Sequence, residues 1–123
     1  MKIAISSVGT ILDAQVDPRF GRCAYFIIID PDTMQFEAVD NANAAAGGGA
    51  GIATAQMIAG KSVEAVLSGN CGPNAYEVLS KANIKVISGV SGVIKDVVEN
   101  YRNGKYEASD KPNVAGHFGQ SLK

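Results

Sequence analysis

A three-layer α/β domain, with helices on both faces of a five-stranded mixed sheet, is the fold this sequence predicts. Three observations carry that expectation. In the second half of the chain, short β-branched apolar runs alternate with segments whose apolar residues recur at helical spacing. In the first half, two strand-like runs are joined by Pro31-Asp32-Thr33, which is the chemistry of a hairpin turn. The fourteen glycines fall mainly where runs end, so they mark loops. At 123 residues, 46% hydrophobic and 19% charged, the chain has the size and composition of one ordinary domain with a real core.

The elements follow in order. Lys2 to Ser6 is a short apolar strand, and Ser7 to Arg22 is a long connection. Ala24 to Asp30 is the second strand. Its run Tyr25-Phe26-Ile27-Ile28-Ile29 is apolar at every position, so both of its faces are expected to be buried. Gln35 to Asp40 is the third, with Phe36, Ala38 and Val39 as its apolar positions. Asn41 to Gly51 is a loop of glycine, alanine and asparagine around Gly47-Gly48-Gly49. It reads either as a flexible linker or as backbone that must approach a ligand closely. Ile52 to Ala59 is a small-residue helix stopped by Gly60. Val63 to Leu67 is the fourth strand. Asn74 to Ala82 is the second helix, with Pro73 at its first turn where no N–H is needed. Ile84 to Ile87 is the fifth strand. Ser91 is the expected N-cap of a third helix, whose Val93, Ile94, Val97, Val98 and Tyr101 form one apolar stripe. Asn103-Gly104 stops it. The domain therefore spans 1–105, and 106–123 is a polar tail expected to be poorly ordered.

Right-handed crossovers place strands four and five parallel to strand one, and the hairpin reverses strand two. The simplest sheet has the order 3-2-1-4-5 with strand two antiparallel, the arrangement called ribonuclease H-like. Both cysteines and most of the glycines then collect at the carboxyl edge, where open α/β sheets bind ligands. There, Ser68-Gly69-Asn70-Cys71-Gly72-Pro73 joins the fourth strand to the second helix. A cysteine before a helix start is expected to have a lowered pKa and a usable thiolate; the plainer reading is a small buried cysteine in a tight turn. Cys23 opens strand two and Cys71 follows strand four, so their backbones are expected roughly 10 Å apart across strand one. That separation is too wide for an unforced disulfide. It predicts two thiols, with Cys71 the more reactive.

Composition narrows the function. A net charge of −1 with no basic run argues against nucleic acid held through phosphates. No apolar run is long enough to span a membrane or to act as a signal peptide, and two cysteines fit a reducing, cytoplasmic setting. A nuclease of this topology needs several carboxylates around metal ions, whereas strand one ends in serines and strand four in Ser68. The sole histidine, His117, lies in the tail, so a hydrolase triad is not expected. Asp13 and Asp17 read as turn residues, and Gly47-Gly48-Gly49 lacks the lysine of a P-loop. What remains is a glycine-lined edge with two thiols and several arginine and asparagine donors. Two thiolates suit an exchangeable iron–sulfur species with open positions, which favours a carrier over an enzyme.

Three spaced motifs add to this reading. Asp17-Pro18-Arg19-Phe20-Gly21-Arg22-Cys23-Ala24-Tyr25-Phe26, the Gly47 to Gly49 loop, and Gly69-Asn70-Cys71-Gly72-Pro73-Asn74-Ala75 resemble, in that order, the dinitrogenase iron–molybdenum cofactor biosynthesis family. The resemblance covers roughly residues 1 to 105. It implies a small ribonuclease H-like domain that binds an iron–sulfur or iron–molybdenum type cluster. Nitrogenase-linked members often carry histidine before the Phe-Gly of the first loop. Here that position is Arg19, a cation suited to an anionic cluster. The tail repeats the tripeptide in its histidine form, His117-Phe118-Gly119. The expected metal ligands are Cys23 and Cys71. The expected cofactor-binding residues are Arg19, Phe20, Gly21, Arg22, Asn41, Gly47, Gly48, Gly49, Gly69, Asn70, Gly72 and Asn74. The expected function is non-enzymatic carriage of such a cluster, with a partner protein as a further candidate contact. The alternative is a metal-free regulatory module that binds a small anion or a partner.

Overall fold

The computed structural model describes residues 1–42 and 50–108. Its elements are β1 (Lys2–Ser7), β2 (Tyr25–Ile29), β3 (Phe36–Asp40), α1 (Ala50–Ala59), β4 (Val63–Leu67), α2 (Pro73–Lys81), β5 (Lys85–Ile87) and α3 (Ile94–Arg102). The sheet order is β3-β2-β1-β4-β5. β2 is antiparallel to both β1 and β3, and β4 and β5 run parallel to β1. The expected ribonuclease H-like topology is therefore the observed one.

The alternation of side chains along the strands sorts the core into two layers. Ile3, Ile5, Ile27, Ile29, Ala65, Leu67 and Ile87 pack with Ile94, Val97 and Val98 of α3. Ala4, Phe26, Ile28, Val66 and Val86 face the other way, onto Ala55 and Ile58 of α1 and Ala75 and Leu79 of α2. The register aligns these sets, with Ile5 opposite both Ile27 and Leu67. Fully buried isoleucine and leucine side chains contribute about 1.5–3 kcal/mol each, which makes the central strands the stable part of the domain. β3 is mostly exposed, and Glu37 and Asp40 put charge on that edge, which discourages pairing with another chain.

Two differences from the sequence reading matter. α1 begins at Ala50, two residues before the expected start, so Gly51 lies inside its first turn. Ser91 does not cap α3: the N-cap is Val93, with no side-chain hydrogen bond. The N–H groups of Ile94 and Lys95 instead donate to the carbonyls of Ala14 and Leu12, each at 2.9 Å. The β1–β2 connection folds back over the start of α3 and satisfies its unpaired N–H groups, so no hydroxyl is needed. That connection is tied down by bridges from Ser7 to Val16 and from Gln15 to Val93. Gly47 to Gly49 and the tail beyond Ala108, with His117, lie outside the described residues. Among the described residues, no helix is long and apolar enough to cross a membrane.

Candidate functional site

β1, β4 and β5 all end at one edge of the sheet, and the segment 17–23 crosses it. That segment is pinned from both sides. Ser6 Oγ bonds Asp17 O at 2.7 Å and Ser68 Oγ at 2.8 Å, and Asp17 N–H donates to Ser6 O at 2.9 Å. The Asp17 carboxylate is buried and folds back on the following turn. Its Oδ1 accepts from Arg19 N at 3.0 Å and Arg19 Nε at 3.2 Å, while Oδ2 accepts from Nη2 at 3.3 Å. This two-pronged pairing holds the guanidinium at the surface, its side chain 63% exposed, and raises its pKa through the hydrogen bond and charge of Asp17.

The same segment docks onto the loop after β4. Phe20 N–H donates to Asn70 O at 3.1 Å, and Asn70 Nδ2 donates to Pro18 O at 3.0 Å. The approach is so close that a Cβ on Gly69 would sit 2.7 Å from Pro18 Cα and 2.9 Å from Pro18 O. Only glycine fits there. Gly21 likewise abuts α1, where an added Cβ would lie 3.0 Å from Gly51 Cα. Asn41 and Thr54, both buried, complete the frame. Asn41 Nδ2 donates to Cys23 O at 2.9 Å, and Thr54 Oγ1 bonds Gly21 O and Asn41 Oδ1, each at 3.3 Å.

These contacts leave a cleft of about 170 Å³ between the starts of α1 and α2. Its walls are Phe20 and Gly21 from the first loop, Gly51 and Ile52 from α1, and Gly72, Pro73, Asn74 and Ala75 from the start of α2. Small residues let the helices converge: a Cβ on Gly51 would only touch that of Ala75, at 3.7 Å. Neither helix has an acidic residue in its first turn. The partial positive charge of both helix starts is therefore not offset by a local carboxylate.

The thiols overturn one expectation. Cys23 and Cys71 are fully buried, neither is in a disulfide, and both belong to the core layer under α1 and α2, with Phe20 and Ala75. Burial pushes each thiol up to about 12. The expected lowering at Cys71 fails because its thiol packs in the apolar core, where loss of water outweighs the helix dipole. Cys23 Sγ lies 3.4 Å from Phe20 O, to which it donates, and accepts weakly from Asn41 Nδ2 at 3.8 Å. At rest both are protonated core groups, and among the described residues no set of three or more His, Cys, Asp or Glu could hold a metal ion.

The other anticipated residues divide by position. Phe20, Gly21, Gly72 and Asn74 line the cleft. Arg19 and Arg22 are exposed on the first loop. Gly69, Asn70 and Asn41 cross-link the loops instead of facing the cleft. Gly47, Gly48 and Gly49 fall outside the described residues. The sequence reading missed Asp17 as the anchor of Arg19, Thr54 as a buried bridge, and Gly51 and Ile52 as cleft walls. The Asp-Pro-Arg spacing carried the signal for the first of these. Thr54 carried one as well, as a hydroxyl residue in an otherwise small and apolar helix.

Comparison with known proteins agrees with the fold and gives the family. The chain is 38% identical to the orange protein of Desulfovibrio gigas, solved in its apo form, with a TM-score of 0.88 over 92% of this chain and 96% of that one. It is 34% identical to a putative NifB protein from Thermotoga, with a TM-score of 0.78 over 94% and 98% of the two chains. A curated relative, an uncharacterized protein of Methanocaldococcus jannaschii, is 27% identical over 87% of this chain and 94% of its own length. A model of the family described as dinitrogenase iron-molybdenum cofactor matches residues 1–104, all three motifs included, and the chain belongs to that family.

Proposed function

We propose that this domain is a non-enzymatic carrier that takes up an iron–sulfur or iron–molybdenum type cluster at the carboxyl edge, for delivery to a partner protein in a reducing cytosol. The observation that carries the reading is the convergence of two acid-free helix starts on a glycine-lined cleft, walled by two of the family's motif loops. Sulfide-bridged metal clusters are commonly anionic. Backbone N–H groups at the helix starts and the surface guanidinium of Arg19 supply donors of the right sign. The related orange protein was solved in an apo form, which supports a loaded form of that relative. Glycine at Gly21, Gly51 and Gly72 lets backbone, not side chains, contact the cargo. Ligation by Cys23 or Cys71 would require the first loop to open and the thiols to ionise.

The second reading is a metal-free module that binds a small anion or a partner protein. The buried, protonated thiols favour it. Anaerobic reconstitution with Fe²⁺, sulfide and molybdate, followed by gel filtration and metal analysis, separates the two. Metal that co-elutes with the protein supports the carrier. Cys23→Ser and Cys71→Ser variants then report whether the thiols hold it. No retained metal, with molybdate or phosphate still bound, establishes the second reading instead.

A further inference from the structure

β3 is an edge strand of the sheet, and it lacks most of the devices that close such an edge. The other edge, β5, is three residues long and starts at Lys85. β3 has five residues, contains no proline, and pairs with β2 in unbroken register from Phe36 to Asp40. The ladder fixes which of its backbone groups are left over. Asp30 N–H donates to Gln35 O, and Asn41 N–H donates to Ala24 O, each at 3.0 Å. Hydrogen-bonded pairs recur at every second residue of an antiparallel ladder, so Glu37 and Val39 bond to β2. The N–H and C=O groups of Phe36, Ala38 and Asp40 therefore point away from the sheet, and all three residues are exposed.

The side chains alternate about this row. Val39 packs against the layer under α1 and α2. Glu37 shares its face, and Phe36 and Asp40 take the opposite one. Glu37 and Asp40 are exposed, and among the described residues neither is in an ion pair. Phe36 adds apolar surface, 42% exposed. At its end of the strand a depression of about 250 Å³, lined by Lys2, Ile28, Asp30, Gln35, Phe36 and Glu37, has room for an incoming side chain. Lys2 and Asp30 balance in charge there, which leaves Glu37. Charge then selects the occupant. An antiparallel second copy centred on Ala38 would set the two Glu37 carboxylates diagonally across the junction, like against like. An extended segment that carries lysine or arginine meets opposite charge. Glu37 and Asp40 are three residues apart and on opposite faces, so basic residues three apart in the incoming strand face both.

We propose that the β3 edge docks an extended segment of a partner protein as a sixth strand, with two basic residues three apart set against Glu37 and Asp40. The docking involves none of the residues that line the cleft, and it does not rest on the carrier reading.

The test is amide hydrogen exchange in the ¹⁵N-labelled full chain, titrated with a blocked peptide that repeats lysine, threonine and valine in that order. Saturating peptide slows exchange about tenfold or more at the outward amides of Phe36, Ala38 and Asp40, and leaves Glu37 and Val39, already bonded to β2, unchanged. The same peptide with glutamate for lysine gives no protection. Ala38→Pro removes the central outward N–H, spares the β2 ladder, and abolishes binding. Glu37→Lys with Asp40→Lys, both at exposed positions, weakens the lysine peptide about tenfold and admits the glutamate peptide; this double variant decides the matter if Ala38→Pro does not fold. No saturable binding of the lysine peptide, or protection that does not fall on the three outward amides, overturns the docking. Equal binding of the two peptides overturns the basic partner. Protection of the same amides on concentrating the protein alone assigns the edge to a second copy and likewise overturns the proposal.

Discussion

The contact between the first loop and the β4–α2 loop can be broken by one methyl group. In Gly69→Ala the new Cβ would lie 2.7 Å from Pro18 Cα, 2.9 Å from Pro18 O and 3.1 Å from Pro18 Cβ. Carbon atoms pack at about 3.5–4.0 Å, so the two backbones must part by about 1 Å. That movement lengthens the Phe20 N–H to Asn70 O bond, now 3.1 Å, and the Asn70 Nδ2 to Pro18 O bond, now 3.0 Å. Overpacking costs about 1–3 kcal/mol. The two weakened hydrogen bonds add about 1 kcal/mol each at most. The expected loss is about 3 kcal/mol, a large share of a small domain's stability. In urea unfolding this lowers the midpoint by about 1–2 M with little change in slope. Pro18→Ala does not rescue it, because the two closest atoms are backbone. Gly72→Ala is the control: its Cβ meets nothing within 4 Å and its φ is −71°, so the midpoint moves little. An unchanged midpoint for Gly69→Ala, or an equal fall for both variants, would refute the loop-docking argument.

Three further outcomes are expected. In the native protein near pH 8, Cys23 and Cys71 react with a disulfide reagent far more slowly than in urea, because both are buried and protonated; model-thiol rates at Cys71 would contradict that burial. Stability falls above pH 9: each folded thiol sits at about 12 against an ordinary value of 9.0, so the unfolded chain releases its protons first. The protection is complete below about pH 9 and is lost as pH rises toward 12, which makes the domain about 3 kcal/mol less stable at pH 10 than at pH 8 from the two thiols together. Tyr101, raised by burial and by Glu64, acts in the same direction at higher pH, and urea curves at the two pH values give the comparison. Asp17→Asn destabilises by about 1–3 kcal/mol because it breaks a buried, charge-assisted set of bonds, whereas Arg19→Ala at the exposed end costs under about 1 kcal/mol; equal losses would place the anchor elsewhere.

The sequence by itself determined the strands, their order and the sheet edge where the motif loops gather. β-branched runs, helical apolar spacing and glycine punctuation are local signals, and a short hairpin with right-handed crossovers leaves few ways to arrange the result. The run Tyr25 to Ile29 announced a strand buried on both faces, and Ile27 and Ile28 do pack into opposite layers. The three motif loops, read together, also gave the family. Only the tertiary structure decided what the polar and reactive groups do. Ser91 looks like a cap, but carbonyls some eighty residues earlier satisfy the N–H groups of α3. Cys71 sits before a helix, as a reactive thiol would, but its side chain turns into the core and its pKa rises. Asp17 looks like a turn residue and is the buried partner that fixes Arg19. In each case the outcome depends on which distant segment packs against the group and how much water it excludes, and that is set by the close approach of loops far apart in the chain.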